Sequence, residues 1–122
     1  MIDLNDLKVI NDTLGHEKGD QAIINLSKMI QKVYAGSNAY RIGGDEFAVI
    51  LEGEEISKMD ELEEKFIKEV EKSISSKDKD EAVYAAIGSA EFDQFNDMNV
   101  EDTFKRADRK MYERKKYMKD HR

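Results

Sequence analysis

The sequence predicts a mixed α/β domain, and three observations support this. Two short, mostly apolar runs, residues 38–42 and 47–51, flank a turn that contains Gly-Gly-Asp-Glu, which predicts a β-hairpin. A third apolar run at residues 82–88 predicts another strand. Apolar residues also recur at helical spacing in three longer segments, which predicts helices that pack on one sheet. A length of 122 residues suits a single domain.

Composition and charge narrow the partners and the location. The net charge of −7 argues against nucleic acid, because affinity for nucleic acid comes largely from Lys and Arg. The absence of cysteine leaves neither disulfides nor thiolate metal sites, which suits a reducing compartment. No apolar run approaches the ~20 residues that a membrane-spanning helix needs. We therefore expect a cytoplasmic protein without direct membrane contact.

The predicted hairpin turn carries two glycines followed by two carboxylates. Gly43 and Gly44 are expected to take the positive φ of a tight turn and to let another molecule approach the backbone. Asp45 and Glu46 would then be adjacent and exposed, as oxygen ligands or as groups that handle protons. A solvated hairpin tip has the same composition, so the turn alone leaves both interpretations open.

The segment 3–20 is polar and punctuated by glycine. It does not match an EF-hand calcium loop, because Leu7 stands where an oxygen ligand is needed and Lys8 where glycine is needed. A strand end, a tight turn and a short helical turn fit better. The next helix, predicted over 17–34, contains Gly19 at a cost of up to ~1 kcal/mol relative to Ala. Either a neighbour needs the space there, or the helix start is frayed.

The later elements follow from capping and periodicity. Residues 57–60 resemble a capping box at the start of a helix. The apolar stripe of that helix consists of Met59, Leu62, Phe66, Val70 and Ile74. Residues 91–99 are predicted to form a loop, and the last helix to begin near Val100. The residues expected on its core face are Phe104, Ala107, Met111 and Met118. Lys115, on the same helix, would lean toward the strand ends or remain solvated.

Residues 41–47 read RIGGDEF, which resembles the signature of GGDEF domains, the diguanylate cyclases. Upstream, DLNDLK at 3–8 and the Asn, Asp, Gly and His residues of 11–20 resemble the family's D-x-D/N-x-F-K and N-D-x-x-G-H-x-x-G-D patterns at matching spacing. Downstream, residues 107–115 resemble its closing A-D-x-x-L-Y-x-A-K helix. Several motifs in the same order along nearly the whole chain make the resemblance specific.

The resemblance implies a nucleotidyl-cyclase-like fold, with a central, mostly antiparallel sheet flanked by helices and a GGDEF β-hairpin. It implies a diguanylate cyclase, which condenses two GTP molecules into cyclic di-GMP and releases pyrophosphate at the interface of two protomers. An alternative is a catalytically inactive, GTP-binding regulatory module. An acidic interaction domain without a ligand would require the spaced motifs to be coincidental. Attachment to a sensory or regulatory domain in a longer protein is also implied.

Asp3 is expected at the end of one strand and Asp45 at the turn beside a neighbouring strand. Adjacent strands lie ~4.8 Å apart, so both carboxylates could bind one hard cation. The resemblance implies that Asp3, Asp45 and the Leu4 carbonyl bind Mg²⁺, for which Mn²⁺ could substitute. It places Glu46 near the attacking hydroxyl, as a base or as a third carboxylate. Together with Asp45 and Lys115, Glu46 forms the implied catalytic set.

The resemblance also implies how GTP is bound. Gly43 and Gly44 would let the nucleotide lie against the hairpin. Asn11 and Asp20 would bind the guanine edge, because a carboxylate accepts from guanine N1–H and N2–H₂ and a side-chain amide both donates and accepts. The groups implied to bind the phosphates are the backbone N–H groups of Asp6 and Leu7 and the side chains of Lys8, Lys115 and Lys119.

The sequence departs from the family pattern in several ways. Tyr34 and Ser37 stand where the inhibitory R-x-x-D motif has Arg and Asp, so we expect no product inhibition through that site. Lys119 replaces a phosphate-binding Arg, which keeps the charge but loses the bidentate geometry. Residues 1–122 are interpreted as one GGDEF domain that lacks the family's N-terminal helix and most of its first strand.

Overall fold

The computed structural model describes residues 1–121. Its helices are α1 (Leu7–Leu14), α2 (His16–Val33), α3 (Met59–Ser75) and α4 (Val100–Asp120). Its strands are β1 (Ile2–Leu4), β2 (Asn38–Arg41), β3 (Glu46–Ile50) and β4 (Ala85–Ile87). Short 3₁₀ turns precede α3 and β4. Within this described range, no helix is both long enough and apolar enough to cross a membrane.

The strands form one antiparallel sheet in the order β2-β3-β1-β4. β1 is only three residues long, yet it lies between β3 and β4 and pairs with both. Asp3 is opposite Glu46 on one side and Ala86 on the other. The predicted antiparallel sheet, flanked by helices and carrying a β-hairpin, is confirmed. The short first strand leaves neither neighbour unpaired.

Helices α2 and α3 pack on the sheet through the apolar stripes that the sequence predicts. Ile2 and Leu4 are each 1% exposed, and Leu26 of α2 and Phe66 of α3 are fully buried in the same cluster. Full burial of such a side chain contributes ~1.5–3 kcal/mol relative to exposure. Although β1 has only three residues, it therefore lies within the buried core.

Close contact between α4 and the end of β4 requires a glycine. A Cβ on Gly88 would lie 2.2 Å from the backbone nitrogen of Met111 and 2.3 Å from the carbonyl oxygen of Ala107. Both partners are backbone atoms of a helix, so neither could move aside easily. The predicted start of this helix is confirmed, since the Asn99 side chain accepts a hydrogen bond of 3.2 Å from the Asp102 N–H.

Two local expectations were wrong. Neither Gly43 nor Gly44 has a positive φ; the glycines that do are Gly15, Gly36 and Gly53. Residues 42–45 separate the two strands, so the chain reverses without the mirror-image dihedrals of a two-residue hairpin turn. The predicted capping box is also displaced. Glu52 and Glu55 form it at the 3₁₀ turn, because that turn, rather than α3, begins the helical segment.

Candidate active site

Three carboxylates converge where β1 meets the hairpin. One oxygen each from Asp3, Asp45 and Glu46 can be chosen so that all lie within 4.8 Å of one another. The antiparallel register places Asp3 opposite Glu46, and the Leu4 N–H donates to the Asp45 carbonyl at 2.8 Å. The predicted convergence of Asp3 and Asp45 is therefore present, and Glu46 joins them. Strand pairing fixes Asp3 opposite Glu46, and the backbone bond from Leu4 holds Asp45 beside them.

Asp3 is buried, and its two oxygens differ. Oδ2 accepts a 2.8 Å hydrogen bond from Lys115 Nζ, whereas Oδ1 is buried without a hydrogen-bond partner among residues 1–121. Burial raises the pKa of Asp3, although the bond from Lys115 opposes that rise. The same bond raises the pKa of Lys115, so the lysine is a cation. An unpartnered carboxylate oxygen is costly to bury, which makes it suited to bind a cation.

Glu46 lies in the same negative field. Burial raises its pKa, and the charges of Asp3, Asp108 and Asp45 raise it further, against a smaller opposing effect of Lys115. Carboxylate oxygens at this spacing are the donor set that Mg²⁺ and Mn²⁺ prefer. The residues present therefore fit a hard divalent cation. Asp3 and Asp45 are suited to bind it, with Glu46 adjacent.

The hairpin tip is open to an approaching molecule. A Cβ on Gly44 would meet no atom within 4 Å, and one on Gly43 would meet only the Glu46 side chain, at 3.6 Å. The absence of side chains at these positions is thus not required by packing within the domain. The approach of a nucleotide to these glycines stays a prediction.

The sequence left open why α2 tolerates Gly19, and the structure answers this. A Cβ at position 19 would lie 1.7 Å from Oδ1 of Asn11, on α1. Gly19 is buried, and the next residue, Asp20, is exposed. The helix start is not frayed: a neighbouring side chain takes up the space. Of the two residues implied to bind guanine, Asn11 lies at this α1–α2 contact, and Asp20 follows the glycine that Asn11 contacts.

The residues implied to bind phosphate differ in how firmly the fold holds their side chains. Lys115 contacts Asp3, and the charge of Asp6 contributes to its raised pKa. Leu7 begins α1, directly after Asp6, whose φ is 59°. Lys8 and Lys119 are exposed and make no side-chain hydrogen bond or ion pair within the described part of the chain. They are free to reach a bound anion, but nothing in the fold holds them in place.

The positions of the family's inhibitory motif hold a different arrangement. Tyr34 is buried, its burial raises its pKa, and its ring lines an apolar cavity of about 450 Å³ with Leu51 and Phe104. The Ser37 hydroxyl donates to Glu55 at 2.6 Å. A buried phenol and a serine that donates to a carboxylate do not reproduce a pair of surface charges. The expectation of no product inhibition through this site stays a prediction.

Two residues of the site are absent from the sequence-based set. Arg41 donates to the carbonyl oxygens of Gly43 and Gly44, at 3.3 Å and 2.6 Å. Its place two residues before a Gly-Gly pair was the signal that could have identified it. Asn5 is buried, donates to the sulfur of Met118 at 3.6 Å, and has an unpartnered Oδ1. Asn5 stands at the D/N position of the D-x-D/N-x-F-K motif, but the motif does not reveal its contact with Met118, which is distant in sequence.

The antiparallel sheet, its flanking helices and the three carboxylates beside its hairpin define a mixed α/β domain with a candidate cation site. Comparison with known proteins specifies it further. Residues 1–121 match the family model described as "Diguanylate cyclase, GGDEF domain". The chain therefore belongs to the GGDEF domain family.

Several relatives carry the name diguanylate cyclase. Diguanylate cyclase A of Treponema denticola is 35% identical over 117 residues, which is 94% of this chain and 31% of the relative. A diguanylate cyclase of Vibrio cholerae is 29% identical over 116 residues, 94% of this chain and 36% of the relative. The probable diguanylate cyclase DgcC of Escherichia coli K12 is 50% identical over 54 residues, 43% of this chain and 15% of the relative. The chain thus spans about a third or less of the length of these relatives.

Solved structures agree with the family. The active GGEEF domain of a diguanylate cyclase from Vibrio cholerae has a TM-score of 0.75 and 28% identity, over 95% of this chain and 74% of that one. The GGDEF domain of DgcB from Caulobacter crescentus, in complex with c-di-GMP, has a TM-score of 0.68 and 28% identity, over 94% and 69% of the two chains.

Proposed function

We propose that this domain is a diguanylate cyclase that joins two GTP molecules into cyclic di-GMP and releases two pyrophosphates. The observation that carries the proposal is the convergence of Asp3, Asp45 and Glu46, with Lys115 bound to Asp3. Three like charges held this close repel one another, which supports a role for them in binding a cation. Each 3′-hydroxyl attacks the α-phosphate of the other nucleotide, so two protomers face each other.

Asp3, Asp45 and the Leu4 carbonyl would hold Mg²⁺, or Mn²⁺ in its place. Support comes from the buried, unpartnered Oδ1 of Asp3, an oxygen that lacks a hydrogen bond and lies beside two further carboxylates. A divalent cation there would neutralise charge on the phosphates and on the leaving pyrophosphate. Glu46 would lie beside the attacking hydroxyl, as its base or as a third carboxylate.

The remaining residues bind and orient GTP. Lys115, Lys8 and Lys119 supply positive charge for the β- and γ-phosphates. The N–H groups of Asp6 and Leu7 would contribute from the start of α1, since the first turn of a helix is a favourable place for an anion. This arrangement lowers the barrier by positioning and by charge neutralisation, the terms that dominate phosphoryl transfer.

Asn11 and Asp20 would recognise the guanine edge. Asn11 is held against Gly19, next to the exposed carboxylate of Asp20. The carboxylate would accept from guanine N1–H and N2–H₂, a donor pair that adenine lacks. The open hairpin tip at Gly43 and Gly44 would admit the nucleotide between the two protomers. The dimer itself, a cytoplasmic location, and control by a sensory or regulatory domain in a longer protein are part of the same proposal.

The test is GTP turnover with Mg²⁺ across a range of protein concentrations, with chromatography for cyclic di-GMP. Product is expected to rise more than linearly with protein concentration, because two protomers form each site. Asp45→Ala and Glu46→Ala are expected to lower the rate about 100-fold or more. Asp60→Ala, at an exposed position in α3, is the matched control and should retain activity.

The other outcomes separate the alternatives. No product, together with a GTP-dependent and Mg²⁺-dependent rise in the thermal unfolding midpoint, would identify an inactive GTP-binding module. No product and no change in the unfolding midpoint would overturn the site assignment. Equal turnover in wild type and Asp45→Ala would exclude Asp45 from the reaction.

A further inference from the structure

The backbone carbonyls of residues 43–46, at the hairpin tip, all have partners. The Gly43 and Gly44 oxygens accept from the side chain of Arg41. The Asp45 oxygen accepts from the Leu4 N–H at 2.8 Å, and the Glu46 oxygen accepts from the Ile42 N–H at 2.9 Å. Four consecutive carbonyls are therefore satisfied, two of them by one guanidinium. Hydrogen bonds to these carbonyls therefore hold the backbone conformation of the tip, although the tip is exposed.

The N–H groups of the two peptide groups whose carbonyls bind Arg41 point away from Arg41. Residues 1–121 contain no cis peptide bond, and a trans peptide directs its N–H opposite to its C=O. Since the Gly43 and Gly44 carbonyls face Arg41, the N–H groups of Gly44 and Asp45 face away from it. No acceptor within residues 1–121 takes either proton. The tip thus presents two adjacent free donors on the side opposite Arg41.

Arg41 is suited to this arrangement by its shape and by its charge. Its planar guanidinium donates from Nε to the Gly43 carbonyl and from Nη2 to the Gly44 carbonyl. The ammonium group of a lysine could not reproduce this two-donor geometry. It forms no ion pair among the described residues, despite the carboxylates of Asp45 and Glu46 nearby in sequence. A cation bound to a carbonyl polarises the peptide group and strengthens its N–H as a donor.

We propose that Arg41 is a positioning residue of the nucleotide site. It fixes two peptide groups so that the Gly44 and Asp45 N–H groups face outward and donate to oxygen atoms of the bound nucleotide. This inference rests on the proposed function and adds a donor pair to it. It also explains Gly44, because a side chain there would occupy the open space at the tip, where a Cβ meets nothing within 4 Å.

The direct test is a ¹H–¹⁵N NMR titration of the labelled protein with 3′-deoxy-GTP and Mg²⁺. This nucleotide lacks the attacking hydroxyl and is not turned over. The amide proton resonances of Gly44 and Asp45 are expected to move downfield on binding, as donors do when they gain an acceptor. A parallel titration with guanosine identifies the source of that acceptor. A shift with guanosine indicates a sugar or base oxygen, whereas a shift with the triphosphate alone indicates a phosphate oxygen, and either supports the donor pair.

Variants at position 41 test the positioning role. Arg41→Lys keeps the charge but not the fork, so the responses of Gly44 and Asp45 should be lost. Affinity for the nucleotide should fall about tenfold, as expected for losing one charge-assisted hydrogen bond. Arg41→Ala should behave in the same way, with a thermal unfolding midpoint close to that of wild type. Arg109→Ala is the matched control, since Arg109 is an exposed arginine on α4 that makes no ion pair within the described range.

The outcomes distinguish this inference from the proposed function. If Gly19 and Asp20 respond to nucleotide while Gly44 and Asp45 do not, the donor pair is excluded and nucleotide binding stands. If Arg41→Lys retains the full response at the tip, Arg41 is not the positioning residue. If no resonance responds to 3′-deoxy-GTP in wild type, the proposed function fails, and this inference fails with it.

Discussion

The side-chain oxygen of Asn11 occupies the space where any larger residue at position 19 would place its Cβ, 1.7 Å from that oxygen. Cγ of Asn11 would also be too close, at 2.8 Å, whereas the next nearest atom, on Leu7, would lie at 3.4 Å. An alanine could therefore fit if the end of one flexible side chain moved. What would be lost is the orientation of Asn11, which the proposed function uses to bind guanine.

Gly19→Ala should therefore separate stability from binding. Alanine is favoured over glycine in a helix by up to ~1 kcal/mol, so the free energy of unfolding should stay level or rise. GTP affinity should fall about tenfold, because Asn11 is displaced and its hydrogen bond to the base is lost. Urea denaturation and isothermal titration calorimetry with GTP and Mg²⁺ measure the two effects.

The matched controls are Asn11→Ala and the double variant. If Gly19 acts only through Asn11, adding Gly19→Ala to Asn11→Ala should leave GTP affinity unchanged. Additive losses in the double variant would show that Gly19 contributes by another route. Unchanged affinity in Gly19→Ala alone would exclude the coupling.

Among the elements, the loop before α4 is held by one buried carboxylate. Asp97 is 8% exposed and accepts from the guanidinium of Arg106, from the Thr103 hydroxyl at 2.9 Å and from the Asp93 N–H at 2.9 Å. These bonds tie the loop to the first turns of the helix. Phe95 and Met98 remain 87% and 93% exposed on the same loop, so polar bonds rather than apolar burial define its shape.

The loop makes an acid-dependent contribution to stability. The hydrogen bond from Arg106, followed by the one from the Asp93 backbone, lowers the pKa of Asp97 from 3.8 to about 2. The pKa of Asp97 is lower in the folded protein than in the unfolded chain. Its contribution to the free energy of unfolding is therefore fully present above about pH 3.8 and is lost as the pH falls toward 2. Asp97→Asn should abolish this part of the pH dependence, as measured by urea midpoints across that window.

A matched control for this loop is Asp60→Asn. Asp60 is exposed in the first turn of α3 and has no side-chain hydrogen bond or ion pair among residues 1–121. It should retain the acid sensitivity of wild type. If the Asp97→Asn variant loses stability between about pH 3.8 and pH 2 as steeply as wild type does, Asp97 is not the group that causes the acid sensitivity.

At the level of the whole molecule, the three residues of β1 connect the hairpin to β4. Ile2 is 1% exposed and pairs with Phe47 on one side and Ile87 on the other. Ile2→Ala should lower the free energy of unfolding by about 2–5 kcal/mol, because it removes buried volume where the core and the sheet both depend on it. Urea denaturation followed by circular dichroism measures the change.

Val9→Ala provides the comparison for Ile2→Ala. Val9 is 57% exposed on α1, and its truncation should change stability by no more than about 0.5 kcal/mol. Equal losses in the two variants would show that β1 is not central to the core.

Local pattern was sufficient for much of this protein. The helices, the hairpin strands and the loop before α4 follow from residues close together in sequence, because periodicity and capping act within a few residues. Motif order also identified the family, which the comparison confirms over residues 1–121. The expected positive φ of Gly43 and Gly44 was wrong, since the conformation of a turn depends on its length as well as on its residues.

Contacts between distant residues required the folded chain. Asp3 and Lys115 are 112 residues apart, and Asn5 and Met118 are 113 apart, yet each pair is in contact. Periodicity shows which face of an element is apolar, but not which surfaces meet or which polar atom is left without a partner. The unpartnered oxygen of Asp3, the contact of Asn11 with Gly19 and the bonds of Arg41 to the hairpin carbonyls all depend on side-chain placement. Packing of the elements around β1 determines that placement, so it appears only once the chain is folded.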